Sequence, residues 1–262
     1  MRAGYAARTL SVVAGTVTIE QRGEIALVRI DRPPANAMDP EMLADGRMVL
    51  HELRAADPGA VVLTGRPGFF SAGVDLKLAP TLDRDGQRAL VDGINQTFLD
   101  WYAFPRPVVS AVNGHAIAGG LILALTGDQR IGAGDGKLGL TELRAGIGYP
   151  LAAIGIVRAE LSAPAARKLA LAADLVDMRR GLELGLIDEL VEPDTLLERA
   201  LEVAEELAAL PPSAYPRVKE QLRGETVAAL RAQIEAGDPM LGSWVGDEAA
   251  AASAAILDRP SG

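Results

Sequence analysis

Phe70-Ser71-Ala72-Gly73-Val74-Asp75-Leu76 and Asn113-Gly114-His115-Ala116-Ile117-Ala118-Gly119-Gly120 decide how this chain is read. Each follows an apolar, β-branched run: Val61-Val62-Leu63-Thr64 before the first, Val108-Val109-Ser110-Ala111-Val112 before the second. The second leads into a helix-like run from Leu121 to Leu125. Strand, glycine turn and helix in that order, used more than once, indicate an α/β core. Glycine also lets a backbone turn tightly and come close to a ligand.

The same pattern continues outward. Val17-Thr18-Ile19-Glu20, the turn Gln21-Arg22-Gly23-Glu24 and Ile25-Ala26-Leu27-Val28-Arg29-Ile30 carry a hairpin signal. Asp39 before Pro40 marks a helix start, and that helix runs to about residue 55. A strand over 60–64 precedes the first turn and a polar loop over 83–86 follows it. Leu90, Ile94, Phe98 and Trp101 stand at helical spacing and predict a helix over 88–101, stopped by Pro105 and Pro107. Strands over 108–112 and 128–131 frame the second turn and its helix, 120–126. After Glu142 the chain reads as mainly helical, with helices over 150–159, 162–172, 178–184 and 194–210 and a strand over 186–191. Pro211-Pro212 is the clearest break, dividing a core of residues 1–210 from a helical segment, 211–262, that contains an Ala-rich run at 249–255.

The 262 residues suit one large domain or two small ones. Apolar residues make up 49% and aromatic residues 4%, so the core has to be built from Ala, Val, Leu and Ile. The absence of cysteine excludes disulfides, thiolate metal sites and cysteine nucleophiles. A net charge of −9 argues against a nucleic-acid surface, which needs a basic stripe, yet a few local cations suffice for one phosphorylated ligand. No apolar run reaches membrane-spanning length, and residues 1–15 lack the apolar core and cleavage site of a signal peptide. The expectation is a cytoplasmic protein with no membrane or nucleic-acid partner and no metal.

Two familiar motifs fail. Gly114 and Gly119 have phosphate-loop spacing, but Gly120 and Leu121 stand where Lys and Ser/Thr are needed. Ser71 is not flanked as Gly-x-Ser-x-Gly. What two glycine turns can do together is aim free backbone N–H groups at one point, which stabilises an oxyanion and points to chemistry at an activated carbonyl.

Phe70-Ser71-Ala72-Gly73-Val74-Asp75-Leu76-Lys77, then Asn113 through Gly120, then Thr126-Gly127-Asp128-Gln129-Arg130-Ile131, resembles the enoyl-CoA hydratase/isomerase, or crotonase, superfamily. Asp31-Arg32-Pro33-Pro34-Ala35-Asn36-Ala37-Met38 and Gly185-Leu186-Ile187-Asp188-Glu189-Leu190-Val191 extend the resemblance over roughly residues 17–225. It implies an α/β fold, a crotonase-like spiral of ββα units with a C-terminal helical assembly region, forming a homotrimer or a dimer of trimers. It implies an acyl-CoA substrate, with coenzyme A present as part of the thioester and no permanently bound cofactor.

Carried over by position, the oxyanion donors are the backbone N–H groups of Val74 and Gly119, and the catalytic carboxylate is Glu142. The resemblance places adenine near Ala72 and Leu76, runs the loop Pro34-Ala35-Asn36 along the pantetheine, and makes Arg32 and Lys77 phosphate contacts; Gly73, Asp75 and Gly120 belong to the same surface. His115 reads as a structural histidine, His51 as a helix surface residue, and Trp101 and Trp244 as packing residues. Arg144 pairs with an acid or meets a neighbouring subunit.

One departure matters. Family hydratases carry a second glutamate just after the glycine turn, and Ile122 occupies that slot here. Hydration needs a held water and a proton donor, tasks suited to two carboxylates. A lone carboxylate suits proton transfer from C2 to C4 of a 3-enoyl thioester, so the resemblance favours a Δ3,Δ2-enoyl-CoA isomerase. Alternatives are an enoyl-CoA hydratase or another CoA-thioester enzyme (thioesterase, decarboxylase), with Asp75 or an acid of 83–85 replacing the missing group, and a CoA-binding scaffold without turnover.

Overall fold

Ile25 and Leu27 are buried in one hydrophobic core, and Ala26, Val28 and Ile30, alternating with them on the same strand, in another. Residues 60–63 and 108–112 alternate in the same way, because successive strand side chains point to opposite faces. The architecture follows from covering both faces. The computed structural model describes residues 11–241.

The described chain opens with the antiparallel strands β1 (Ser11–Ala14), β2 (Val17–Arg22) and β3 (Ile25–Ile30). β4 (Ala37–Met38) then leads into α1 (Pro40–Ala56). Three units follow, each a strand of a large sheet, a strand of a small sheet and a helix. The first is β5 (Ala60–Thr64), β6 (Gly68–Ser71) and, after the short β7 (Gly73–Val74), α2 (Arg84–Tyr102). The second is β8 (Val108–Val112), β9 (Gly114–Ile117) and α3 (Gly119–Leu125). The third is β10 (Gln129–Ala133), β11 (Lys137–Gly139), a 3-10 turn over Glu142–Ala145, and α4 (Leu151–Glu160). Then come α5 (Ala163–Ala166), β12 (Leu175–Asp177), α6 (Met178–Leu184), β13 (Glu189–Val191), α7 (Leu196–Ala208) and α8 (Tyr215–Ala236).

The large sheet has the order β1-β2-β3-β5-β8-β10-β13 and is parallel from β3 onward. The small sheet has the order β12-β11-β9-β6, and β4 pairs with β7 in a separate two-stranded ribbon. This is the spiral of ββα units implied by the sequence motifs. One core lies between the large sheet, the small sheet and helices α1 to α4. The other lies beneath α7, whose Leu196, Ala200, Val203 and Ala204 cover the outer face of the large sheet.

Local signals read from sequence explain most element ends. Asp39 caps α1, its Oδ1 accepting from Met42 N at 2.8 Å. Three differences are informative. The polar stretch 83–86 is a helix start: Asp83 caps α2 by accepting from Gly86 N at 2.8 Å, so the helix begins four residues before 88. Residues 114–117 form strand β9, because the second glycine-rich segment is the step from the large sheet to the small one, whereas the first leaves β6 of the small sheet for β7. The stretch 162–172 is α5 followed by a π turn, Arg167–Leu171.

Charge pins α8 to this frame. Lys219 Nζ lies 2.7 Å from Asp128, and Arg223 lies 3.0 Å from Asp128 and 3.2 Å from Glu160. The Arg223 guanidinium also donates to the carbonyls of Tyr102, Thr126 and Gly127 and stacks 4.2 Å above the Tyr102 ring. Trp244 and the Ala-rich run 249–255 lie outside the described residues. Among the described residues no helix is long and apolar enough to cross a membrane.

Candidate active site

Two backbone segments approach here more closely than side chains would allow. A Cβ on Gly120 would sit 2.1 Å from Ser71 O, and a Cβ on Gly73 would sit 2.9 Å from Gly119 N. Gly73 also has φ +80°, which glycine adopts without strain. The first turn is held by Asn36. Its Nδ2 donates to the carbonyls of Ile30, Phe69 and Phe70, its Oδ1 accepts from Arg32 N, and its own carbonyl accepts from Ser71 Oγ at 2.7 Å.

These contacts set the direction of two amides. Asp75 N donates to Met38 O at 2.9 Å, within the β4–β7 ribbon. Successive amides of extended backbone alternate sides, so the Val74 N–H points away from β4. Gly119 opens α3, and the N–H groups of a first helical turn have no partner within the helix. Val74 and Gly119 line one cavity.

Ala72, Leu76, Ile122 and Glu142, singled out in the sequence, line the same cavity. Apart from Thr141, its other walls are apolar, among them Ile94 and Phe98 of α2 and Ile147 and Ala153 before and within α4. Among the described lining residues Glu142 is the one titratable side chain. It is 7% exposed, and burial pushes its carboxyl up to about 7; the amides of Glu142 and Thr141 and the phenol of Tyr149 offset part of that effect. The Glu142 Oε2 and Tyr149 Oη atoms are buried, and neither completes an aligned hydrogen bond. A carboxyl near neutrality can accept a proton, and backbone amides lining the same cavity can hold an oxyanion.

Gly73 and Gly120 lie behind the cavity, as the close approach that forms it. The remaining candidates are used elsewhere. Arg32 is bound by Asp39 at 2.7 Å and Asp75 at 3.1 Å and donates to Ala37 O, so its guanidinium is committed inside the fold. Asp75 Oδ1 accepts from the amides of Lys77 and Leu78, which fixes the turn. Pro34 O accepts from Arg66 and Ala35 O from Ala72 N, which ties their loop to the first turn. Lys77 is exposed. His115 Nδ1 accepts from Lys137 N at 3.1 Å and its ring lies 4.9 Å from Phe69, away from the cavity. Arg144 acts on Asp174, and Trp101 packs near Phe104.

Sequence reasoning missed Asn36 as the fastener of the first turn and Tyr149 as the neighbour of Glu142. A positive φ, 52°, at Asn36 is a conformation asparagine tolerates, but no local pattern announces its partners. Among the described residues no group of three or more His, Asp or Glu is placed to hold a metal ion.

The family model for enoyl-CoA hydratase/isomerase matches residues 20–254. An (E)-benzylidenesuccinyl-CoA hydratase of Thauera aromatica is 31% identical over 215 residues, covering 78% of this chain and 80% of that protein. Among solved structures, human mitochondrial Δ3-Δ2-enoyl-CoA isomerase superposes with a TM-score of 0.86 at 27% identity, covering 93% of this chain and 97% of the other. An enoyl-CoA hydratase, EchA3, of Mycobacterium ulcerans gives 0.82 at 29% identity, covering 88% and 100%.

Proposed function

The chain belongs to the enoyl-CoA hydratase/isomerase family, and within it we propose a Δ3,Δ2-enoyl-CoA isomerase that works with one carboxylate. The substrate is a 3-enoyl-CoA thioester, and coenzyme A enters and leaves as part of it. The Val74 and Gly119 amides hold the thioester oxygen. Glu142 takes a proton from C2, and the electron pair of that C–H bond moves into a dienolate whose charge rests on the thioester oxygen. Glu142 then returns the proton to C4, which leaves the double bond between C2 and C3. Removing one such oxyanion donor typically costs ~10²–10³ in rate.

The observation that carries this reading is Glu142 as the one ionisable side chain among the described lining residues, with Ile122 in the second glutamate slot. For the coenzyme, Lys77 is the better phosphate contact, since the donors of Arg32 are engaged by two carboxylates. Assembly as a trimer or a dimer of trimers accompanies this reading.

Purified protein should convert 3-enoyl-CoA to conjugated 2-enoyl-CoA, and Glu142→Gln should lose that activity; a fully active variant would exclude Glu142 as the base. Ile122→Glu should gain water addition to crotonyl-CoA. A hydratase is the second reading, favoured by the activity named for the Thauera and Mycobacterium relatives. Rapid hydration of crotonyl-CoA by the unaltered protein, exceeding isomerisation, would select it. Tight acyl-CoA binding with no turnover across a substrate panel would instead indicate a scaffold.

A further inference from the structure

Glu142 Oε2 and Tyr149 Oη each lack an aligned partner, although the two side chains lie close enough to act on one another. The backbone keeps the two residues near one another: after the 3-10 turn, Ile147 N returns to Glu142 O at 3.1 Å, two residues before Tyr149. Buried polar groups left unmade are costly, and one rotation of the phenol O–H and carboxyl satisfies both.

We propose that Tyr149 is a positioning residue for Glu142: once acyl-CoA fills the cavity, the phenol O–H donates to Glu142 Oε2, pinning the carboxylate so that its other oxygen faces the reacting carbons. The phenol transfers no proton. Burial and the facing carboxylate hold its ionisation well above the ordinary phenol range, so it remains a donor at every working pH. With Oε2 held, a single oxygen collects the proton at C2 and delivers it at C4, which a freely rotating carboxyl would not guarantee.

The surroundings leave this pair to itself. Ile94 and Phe98 of α2, Ile122 of α3 and Ala153 of α4 meet the same cavity with apolar side chains. Asp238, the nearby carboxylate at the start of α4, accepts from Asn95 Nδ2, Leu151 N and Met240 N. Arg144, on the same 3-10 turn as Glu142, acts on Asp174.

This inference rests on Glu142 being the proton carrier, and its test separates the two. Tyr149→Phe removes one oxygen and keeps the ring. In the isomerase assay the acidic limb of kcat/KM should move up by about one pH unit, a roughly tenfold loss below the limb, with KM changed less than about twofold. Isotope-edited infrared titration of the Glu142 carboxyl, in protein saturated with a non-reactive saturated acyl-CoA, should move in the same direction. Superimposable rate profiles and titrations would overturn the role of Tyr149. So would a Glu142 carboxyl band in the unaltered protein that fails to change when the acyl-CoA binds. If the unaltered protein shows no isomerase activity, the proposed function fails, and the infrared titration still decides the matter of Tyr149.

Discussion

Glu142 is where sequence, burial and chemistry conflict most. An isolated carboxyl is ionised at neutral pH, and this one is held to about 7 chiefly by burial. The folded protein therefore binds a proton between pH 4.5 and about 7 that the unfolded chain has released. Stability must fall as pH rises through that window, and the full cost, about 3 kcal/mol, is present above it. Glu142→Gln removes the titration while conserving shape. Its melting temperature should exceed that of the unaltered protein by roughly 5–10 °C at pH 8 and match it near pH 4.5. An equal difference at both pH values would show that burial of charge is not the cause. The variant proposed above to lose isomerase activity should thus be the more stable one, as expected where a site stores an unfavourable charge.

At the scale of elements, the cavity exists because two glycine-rich segments cross from one sheet to another and touch backbone to backbone. Gly120 and Gly119 differ in what they meet. A Cβ on Gly120 would collide with Ser71 O, which cannot move without parting the turns. A Cβ on Gly119 would first meet Met38 Sδ at 3.3 Å and Phe98 Cζ at 3.4 Å, flexible or peripheral atoms. Gly120→Ala should therefore cost about 2–3 kcal/mol in urea unfolding, whereas Gly119→Ala should stay within about 1 kcal/mol and act on KM and kcat instead. Similar stability losses in both would contradict this assignment.

The elements also show what the sequence makes legible. The parallel strands, the Asp39 cap and the Gly185 helix end are written locally, by alternation, by a carboxylate before proline and by a glycine with φ +74°. Glu142, Ile122, Val74 and Gly119 come together as their order along the motifs implies. Strand β9 was hidden inside an apparent turn because glycine at 114 lowers strand propensity, and only pairing with β6 and β11 makes it a strand. The commitment of Arg32 to Asp39 and Asp75 was hidden as well, since Asp75 is 43 residues away in sequence. Contacts of that range have no local signature.

At the scale of the molecule, α8 is fastened by charge more than by apolar burial: only Lys219, Val227 and Leu230 of its residues are buried. Asp128 receives Lys219, Arg223 and the amide of Val108. Burial lowers the pKa of Lys219, and Asp128 opposes that. Asp128→Ala would leave the buried Lys219 beside the half-buried Arg223 without their shared carboxylate, and breaking such a cluster typically costs about 3–5 kcal/mol. The denaturation midpoint should fall accordingly, and an unchanged midpoint would mean that α8 is held by something other than this cluster.

Arg223 adds a consequence of its own. It terminates two helices at once, capping the carbonyl ends of α2 and α3, and those same helices furnish Ile94, Phe98, Gly119 and Ile122 to the chamber around Glu142. The chamber's contour is thereby keyed to the seating of the outermost helix. Drift in that helix over evolution would surface as a change in which acyl chains fit, well before the molecule lost its shape.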